Sequence, residues 1–157
     1  MRISRTPSKR TREKALRNAI ADSISDEELI EQAKQARQEA HAPFSNFQVG
    51  SAILTADGRV YTGCNIEQSV FSLTMCAERV AIFKAVSEGA REFVKVAVVA
   101  DFETVTPPCG CCRQSIWEFA GSGTKVILAN LTGEVRRLDI EELLPLPFDG
   151  SFIEDDR

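Results

Sequence analysis

Apolar and polar positions along this chain switch repeatedly between a helical and a strand period. The first strong signal is Ser25-Asp26-Glu27-Glu28, a capping box, followed by Leu29, Ile30, Ala33, Ala36 and Ala40 on one stripe, which predicts a helix to about residue 40. Residues 42–47 read as a loop. Segments at 48–55 and 59–63, joined by Ala56-Asp57-Gly58, predict a β-hairpin. A helical run over 75–87 ends at Gly89, and the apolar run 94–100 reads as a buried strand. A further helix is predicted over 109–120, strands over 125–130 and 134–138, and a short helix over 139–144. Such alternation predicts an α/β fold: a three-layer α/β/α sandwich with helices on both faces of a five-stranded mixed sheet.

Composition adds the scale. The chain has 157 residues, 43% hydrophobic and 27% charged, which suits one domain large enough to bury a core. No apolar run approaches the roughly 20 residues of a membrane helix, and no signal-peptide core is present. Five cysteines, three of them in a metal-like pattern, argue for a reducing compartment, with the cytoplasm as the default.

Charge divides the chain unevenly. Residues 1–18 carry seven Lys/Arg against Glu13, a net of +6, which leaves −10 on the remainder. We therefore expect residues 1–24 to be a flexible basic extension, 25–150 the functional domain, and 151–157 a C-terminal tail. An extension of this kind can be a solvated tail or short helix, a tether to nucleic acid or membrane surface, or an organelle transit peptide. Without interleaved aromatics the first reading is preferred. The acidic body disfavours a nucleic-acid backbone as partner.

The chemistry is concentrated in two segments, Thr74-Met75-Cys76-Ala77-Glu78-Arg79 and Pro108-Cys109-Gly110-Cys111-Cys112-Arg113-Gln114. Both read as helix starts. Cys109 and Cys112, three apart on a first turn, project from one face, and Cys76 supplies a third thiol. Three protein ligands leave a fourth zinc position for a water, which is the design of a catalytic rather than a structural site. Helix N-termini offset the excess thiolate charge, and Arg79 and Arg113 stand as further donors, at least one of them expected on a ligand sulfur. Glu78, two residues from Cys76, is placed for proton transfer rather than ligation. Cys64 reads as a small buried hydrophobe, Cys111 should point away, and His41 is read as a surface or core residue. The arrangement resembles the zinc nucleobase deaminase pattern.

The stretches APFSNFQVGSAIL, GRVYTGCNIE, CAERVAIFKAVSEG, VAVVAD, PCGCCRQ and EELLP, in this order over residues 42–144, resemble the cytidine deaminases of the short homotetrameric type with three cysteine ligands. The resemblance implies one zinc per chain on Cys76, Cys109 and Cys112, with Glu78 as proton shuttle. It implies that Asn65 and Glu67 hold the ribose hydroxyl, that Phe47 packs on the base, and that the Ala77 amide meets the pyrimidine carbonyl. Phe148 falls where the family sends an aromatic into a neighbouring subunit's site. The sequence departs from the family at Gln68 to Phe71, where Phe71 lacks a hydroxyl used near the sugar, and at Pro107, Cys111, His41 and Phe44.

These features imply zinc-dependent hydrolysis of cytidine and 2′-deoxycytidine to the uridines and ammonia, a pyrimidine salvage reaction of a cytoplasmic homotetramer. One alternative is a deaminase for a modified or analogue cytosine nucleoside. Another is a non-catalytic zinc module with a nucleic-acid-binding tail, against which an intact Glu78 argues.

Overall fold

A computed structural model describes residues 9–150, with side chains from residue 15 onward. The elements are α1 (Lys9–Ala21), α2 (Asp26–Arg37), β1 (Val49–Thr55), β2 (Val60–Cys64), α3 (Ala77–Ser87), β3 (Phe93–Ala100), α4 (Gly110–Ala120), β4 (Lys125–Asn130), β5 (Val135–Asp139) and α5 (Ile140–Leu143), with a 3-10 turn at Phe71–Leu73. The predicted capping box forms: the Ser25 hydroxyl accepts from the Glu28 N–H while the Glu28 carboxylate accepts from the Ser25 N–H. It fixes where α2 begins.

The five strands lie in the order β2-β1-β3-β4-β5. Only β3 and β4 run parallel, and α4 makes the crossover that a parallel pair requires. All eight residues of β3 are buried, as its apolar run predicts for a strand covered on both faces, and its one charged residue, Lys95, pairs with Asp26 at 2.8 Å. Phe93, Val96 and Val98 enter a core with Ile82 and Ala85 of α3 and Ile116 of α4. Val94, Ala97 and Val99 pack with Leu29, Ile30 and Ala33 of α2 on the opposite side. The expected three-layer sandwich around a mixed sheet is the observed fold. Among the described residues no helix is long and apolar enough to cross a membrane.

Two glycines set the layer spacing. A Cβ on Gly63 would lie 2.5 Å from the Ala77 carbonyl and the Ala81 N–H, so a bare backbone here lets the start of α3 press directly on β2. Gly50 does the same beneath α2, where a Cβ would fall 1.9 Å from the Ala33 carbonyl.

Part of the basic extension expected over 1–24 lies among the described residues. Residues 9–21 are helical, and Ile20, Ala21 and Ile24 pack against the α2-side core. Arg17 Nη2 donates to the carbonyls of Phe93 (2.9 Å) and Ala120 (2.8 Å) and to Thr124 Oγ1 (2.7 Å). The guanidinium thus satisfies a carbonyl left open at the end of α4. Basic charge suggested solvation, but the same segment also carries apolar residues at helical spacing, and these dock it. Residues 1–8 of the expected extension and 151–157 of the expected tail lie outside the described residues.

Candidate active site

The two cysteine segments meet because two helices begin side by side. Cys76 is the N-cap of α3 and Cys109 the N-cap of α4, both with extended backbone (φ −73°, ψ 152° and φ −65°, ψ 167°). Cys112, fully buried, lies in the first turn of α4. The three sulfurs lie within 4.8 Å of one another. Tetrahedral zinc with bonds of about 2.3 Å places adjacent sulfurs about 3.8 Å apart, and Cys76 and Cys109 Sγ are 3.8 Å apart. Soft thiolates at this spacing fit zinc, and both helix N-termini turn partial positive charge toward them.

The cluster is already polarised. A hydrogen bond from the Cys112 thiol, working against burial and helped by Arg79, draws Cys76 down to about 5. The same bond, together with burial, pushes Cys112 strongly upward. Zinc is held by sulfurs in their thiolate form, which Arg79 and the two helix N-termini favour. Arg79 Nη2 donates to Cys76 Sγ at 3.8 Å and to the Thr74 carbonyl at 3.3 Å. Arg113 does not share this role. Its Nε donates to the Pro108 carbonyl (2.8 Å) and its Nη1 to the Leu143 carbonyl (3.0 Å), so it braces the approach to Cys109 rather than a sulfur.

Glu78 is 4% exposed. Burial, and then the negative Cys76, raise its carboxyl to about 7, against hydrogen bonds that favour the anion. It lines a cavity of about 190 Å³ together with Phe47, Asn65, Cys76, Ala77 and Cys109. That volume is below the roughly 300–1,000 Å³ of drug-sized pockets and suits one small ring. Val49, Met75, Val98 and Pro107 also line it, with Thr74 and Thr106. Sequence reasoning did not single out the first three, and only the alternation within strands marks Val49 and Val98 as inward-facing. Asn65 uses its amide on backbone as well: Nδ2 donates to the Phe47 carbonyl and Oδ1 accepts from the Val49 N–H, both at 2.8 Å.

The remaining expected contacts stand outside this cavity. Glu67 and Phe71 line an adjoining groove with Phe44, Ser45 and Thr74, and Thr74 borders both spaces. The Glu67 carboxylate accepts from the Ser45 hydroxyl, the Phe44 N–H (2.9 Å) and the Ser45 N–H (3.1 Å). Phe148 does not line the cavity of its own chain; its ring is 62% exposed while Gln114 of α4 bonds its backbone N–H and carbonyl. Cys64 lies partly exposed at the end of β2, its thiol donating to the Glu39 carbonyl at 3.3 Å, rather than buried as a hydrophobe. Cys111 is exposed, facing away as expected, and His41 is outside the sulfur cluster.

Comparison with known proteins matches this geometry. The family model "Cytidine and deoxycytidylate deaminase zinc-binding region" matches residues 23–129. A cytidine deaminase of Sporosarcina psychrophila is 49% identical over 130 residues, covering 83% of this chain and 93% of that protein. One from Halalkalibacterium halodurans is 50% identical over 128 residues, covering 82% and 94%. The crystal structure of cytidine deaminase from Burkholderia pseudomallei superposes with a TM-score of 0.77 at 43% identity, over 80% of this chain and all of that one. The chain belongs to the cytidine and deoxycytidylate deaminase family, and the family's zinc-binding region contains the three-thiol cluster.

Proposed function

We propose that this chain hydrolyses cytidine and 2′-deoxycytidine to uridine and 2′-deoxyuridine with release of ammonia. The observation that carries the reading is Glu78: a carboxylate 4% exposed, in the same small cavity as two of three clustered thiols. A structural zinc module has no use for a buried acid there. Cys76, Cys109 and Cys112 would hold zinc, which when bound supplies Lewis acidity that lets a water ionise near neutral pH.

The chain's own groups do the rest. The base enters beside Phe47, and the Ala77 N–H orients its carbonyl. Glu78 takes a proton from the attacking water and delivers it to the ring nitrogen, then carries a second proton to the exocyclic amine. The C–O bond forms, the C–N bond breaks and ammonia leaves. A carboxyl raised toward neutrality can both accept and return a proton under these conditions. Asn65 and Glu67 are the proposed sugar contacts, with Phe71 beside them.

The same reading places the protein in pyrimidine salvage in the cytoplasm. It makes the active assembly a homotetramer in which Phe148 reaches a neighbouring subunit's site. Exposed Val70, Phe71 and Leu73, with Phe44 whose ring centroid lies 5.4 Å from that of Phe71, are 54–71% accessible and support such an interface.

The test is Glu78→Gln with cytidine turnover and zinc measured on one preparation. Removing a general acid–base costs about 100- to 10,000-fold, and the upper end is expected because one residue serves two transfers, while zinc content stays near one per chain. Near-normal turnover with zinc retained overturns the mechanism. Loss of zinc makes Glu78 a ligand.

A further inference from the structure

The cavity wall formed by Phe47 has a support that lies outside the cavity. The Phe102 ring meets the Phe47 ring nearly edge-on, centroids 6.4 Å apart and planes at 84°. This is the arrangement in which the positive edge of one ring faces the negative face of the other. Phe102 is 58% exposed, so core burial does not account for where its ring lies.

The backbone on either side of this contact is held from several directions. Arg37, on α2, donates from Nε to the carbonyl of Gln48 (3.1 Å), the residue after Phe47, and from Nη2 to the carboxylate of Asp101 (3.4 Å), the residue before Phe102. Asn130, 2% exposed at the end of β4, donates from Nδ2 to the carbonyls of Phe102 (3.4 Å) and Glu103 (3.1 Å). Its Oδ1 is fixed by the N–H groups of Thr132 (3.1 Å) and Glu134 (2.8 Å). Asn65 holds the Phe47 carbonyl. Two loops at the same end of the antiparallel β1–β3 pair, where Val49 lies opposite Ala100, are thereby fastened so that the two rings meet.

We propose that Phe102 is a positioning residue for substrate binding: its edge-to-face contact sets the plane in which Phe47 presents its ring to the base. This rests on the reading that a pyrimidine occupies the cavity. Phe102 acts through Phe47, so it influences binding of the ring and not proton transfer at Glu78.

A double-mutant cycle tests this, with a structural readout that needs no turnover. Phe102→Leu should raise KM for cytidine about two- to tenfold, the worth of one aromatic pair, with kcat nearly unchanged. In a Phe47→Leu background the same substitution should leave KM nearly unchanged, because the contact it removes is already gone. Phe102→Tyr, which keeps the ring, should keep the wild-type KM. In the substrate-free protein, NMR should find the Phe47 ring protons shifted by Phe102→Leu and unshifted by Phe102→Tyr. An undiminished KM effect in the Phe47→Leu background, a fall in kcat alone, or Phe47 resonances indifferent to Phe102→Leu would each overturn the proposal. If the wild-type protein fails to turn over cytidine, the proposed function fails while the ring-shift measurement still decides the positioning.

Discussion

The floor of the candidate site and its rim are built by different means. Cys76, Glu78, Cys109 and Cys112 come from the first turns of α3 and α4, where helical geometry converts spacing along the chain into spacing in space. Cys112 and Glu78 are buried, 0% and 4% exposed. The rim is made of loops: Phe44, Phe71 and Phe148 are 54%, 71% and 62% exposed, and Glu67 depends on a loop hydroxyl and two loop N–H groups. On the proposed reading, bond-making falls to rigid elements that are complete within one chain, and sugar recognition to surfaces that a neighbouring copy can finish. The floor should therefore fail all at once when cut, and the rim by degrees.

The largest effect is expected at the floor. Cys112→Ala removes one of three sulfurs and leaves a small void against the start of α4. Zinc content should fall well below one per chain, and cytidine turnover should fall to background with it. Metal analysis and a spectrophotometric assay on one sample check this. An active protein without zinc would end the division drawn here, because the floor would not depend on its metal.

A smaller effect is expected at Phe148, which on the proposed reading reaches another subunit's site. Phe148→Ala should raise KM for cytidine about tenfold, a loss near 1.4 kcal/mol, with little change in kcat. Its backbone is held through Gln114, so the substitution leaves the local hydrogen bonds in place. Mixed oligomers of Phe148→Ala and Glu78→Gln chains should regain activity that neither has alone. A fully active monomer by sedimentation would show that the rim is complete within one chain.

This contrast also explains what could be read before the fold was known. The capping box at Ser25, the buried strand at Phe93–Ala100 and the three-sulfur cluster are local or short-period features, and each is present where the residues indicated. Arg79 is three residues from Cys76 and shares its helix face, so its contact with the sulfur followed from spacing. Arg113 directly follows Cys112, a step of about 100° around the helix, and its guanidinium turns to the Pro108 and Leu143 carbonyls instead. Arg17 was read only as charge, because its partners Phe93, Ala120 and Thr124 are remote in sequence. Phe102 carried no signal either, since a lone aromatic in a loop becomes meaningful only when the fold sets it against Phe47.

The smallest effect sharpens the rim itself. The Ser45 hydroxyl is the foremost reason that the Glu67 carboxyl titrates below its usual range; desolvation opposes it, and the Phe44 and Ser45 N–H groups add to the lowering. Ser45→Ala removes the hydroxyl and keeps both N–H donors, so Glu67 should stay in the groove but grip less firmly. With that one hydrogen bond gone, KM for cytidine should rise about two- to fivefold at neutral pH with kcat unchanged. The sign of the pH effect follows from the same bond. On the proposed reading Glu67 binds the sugar as a carboxylate; its folded-state value is depressed, and losing Ser45 returns it upward. The rise in KM on acidification should therefore begin at a higher pH in Ser45→Ala than in the wild type. Profiles of KM against pH for the two proteins check this, and coincident acid limbs would show that Glu67 does not contact the substrate in its charged form.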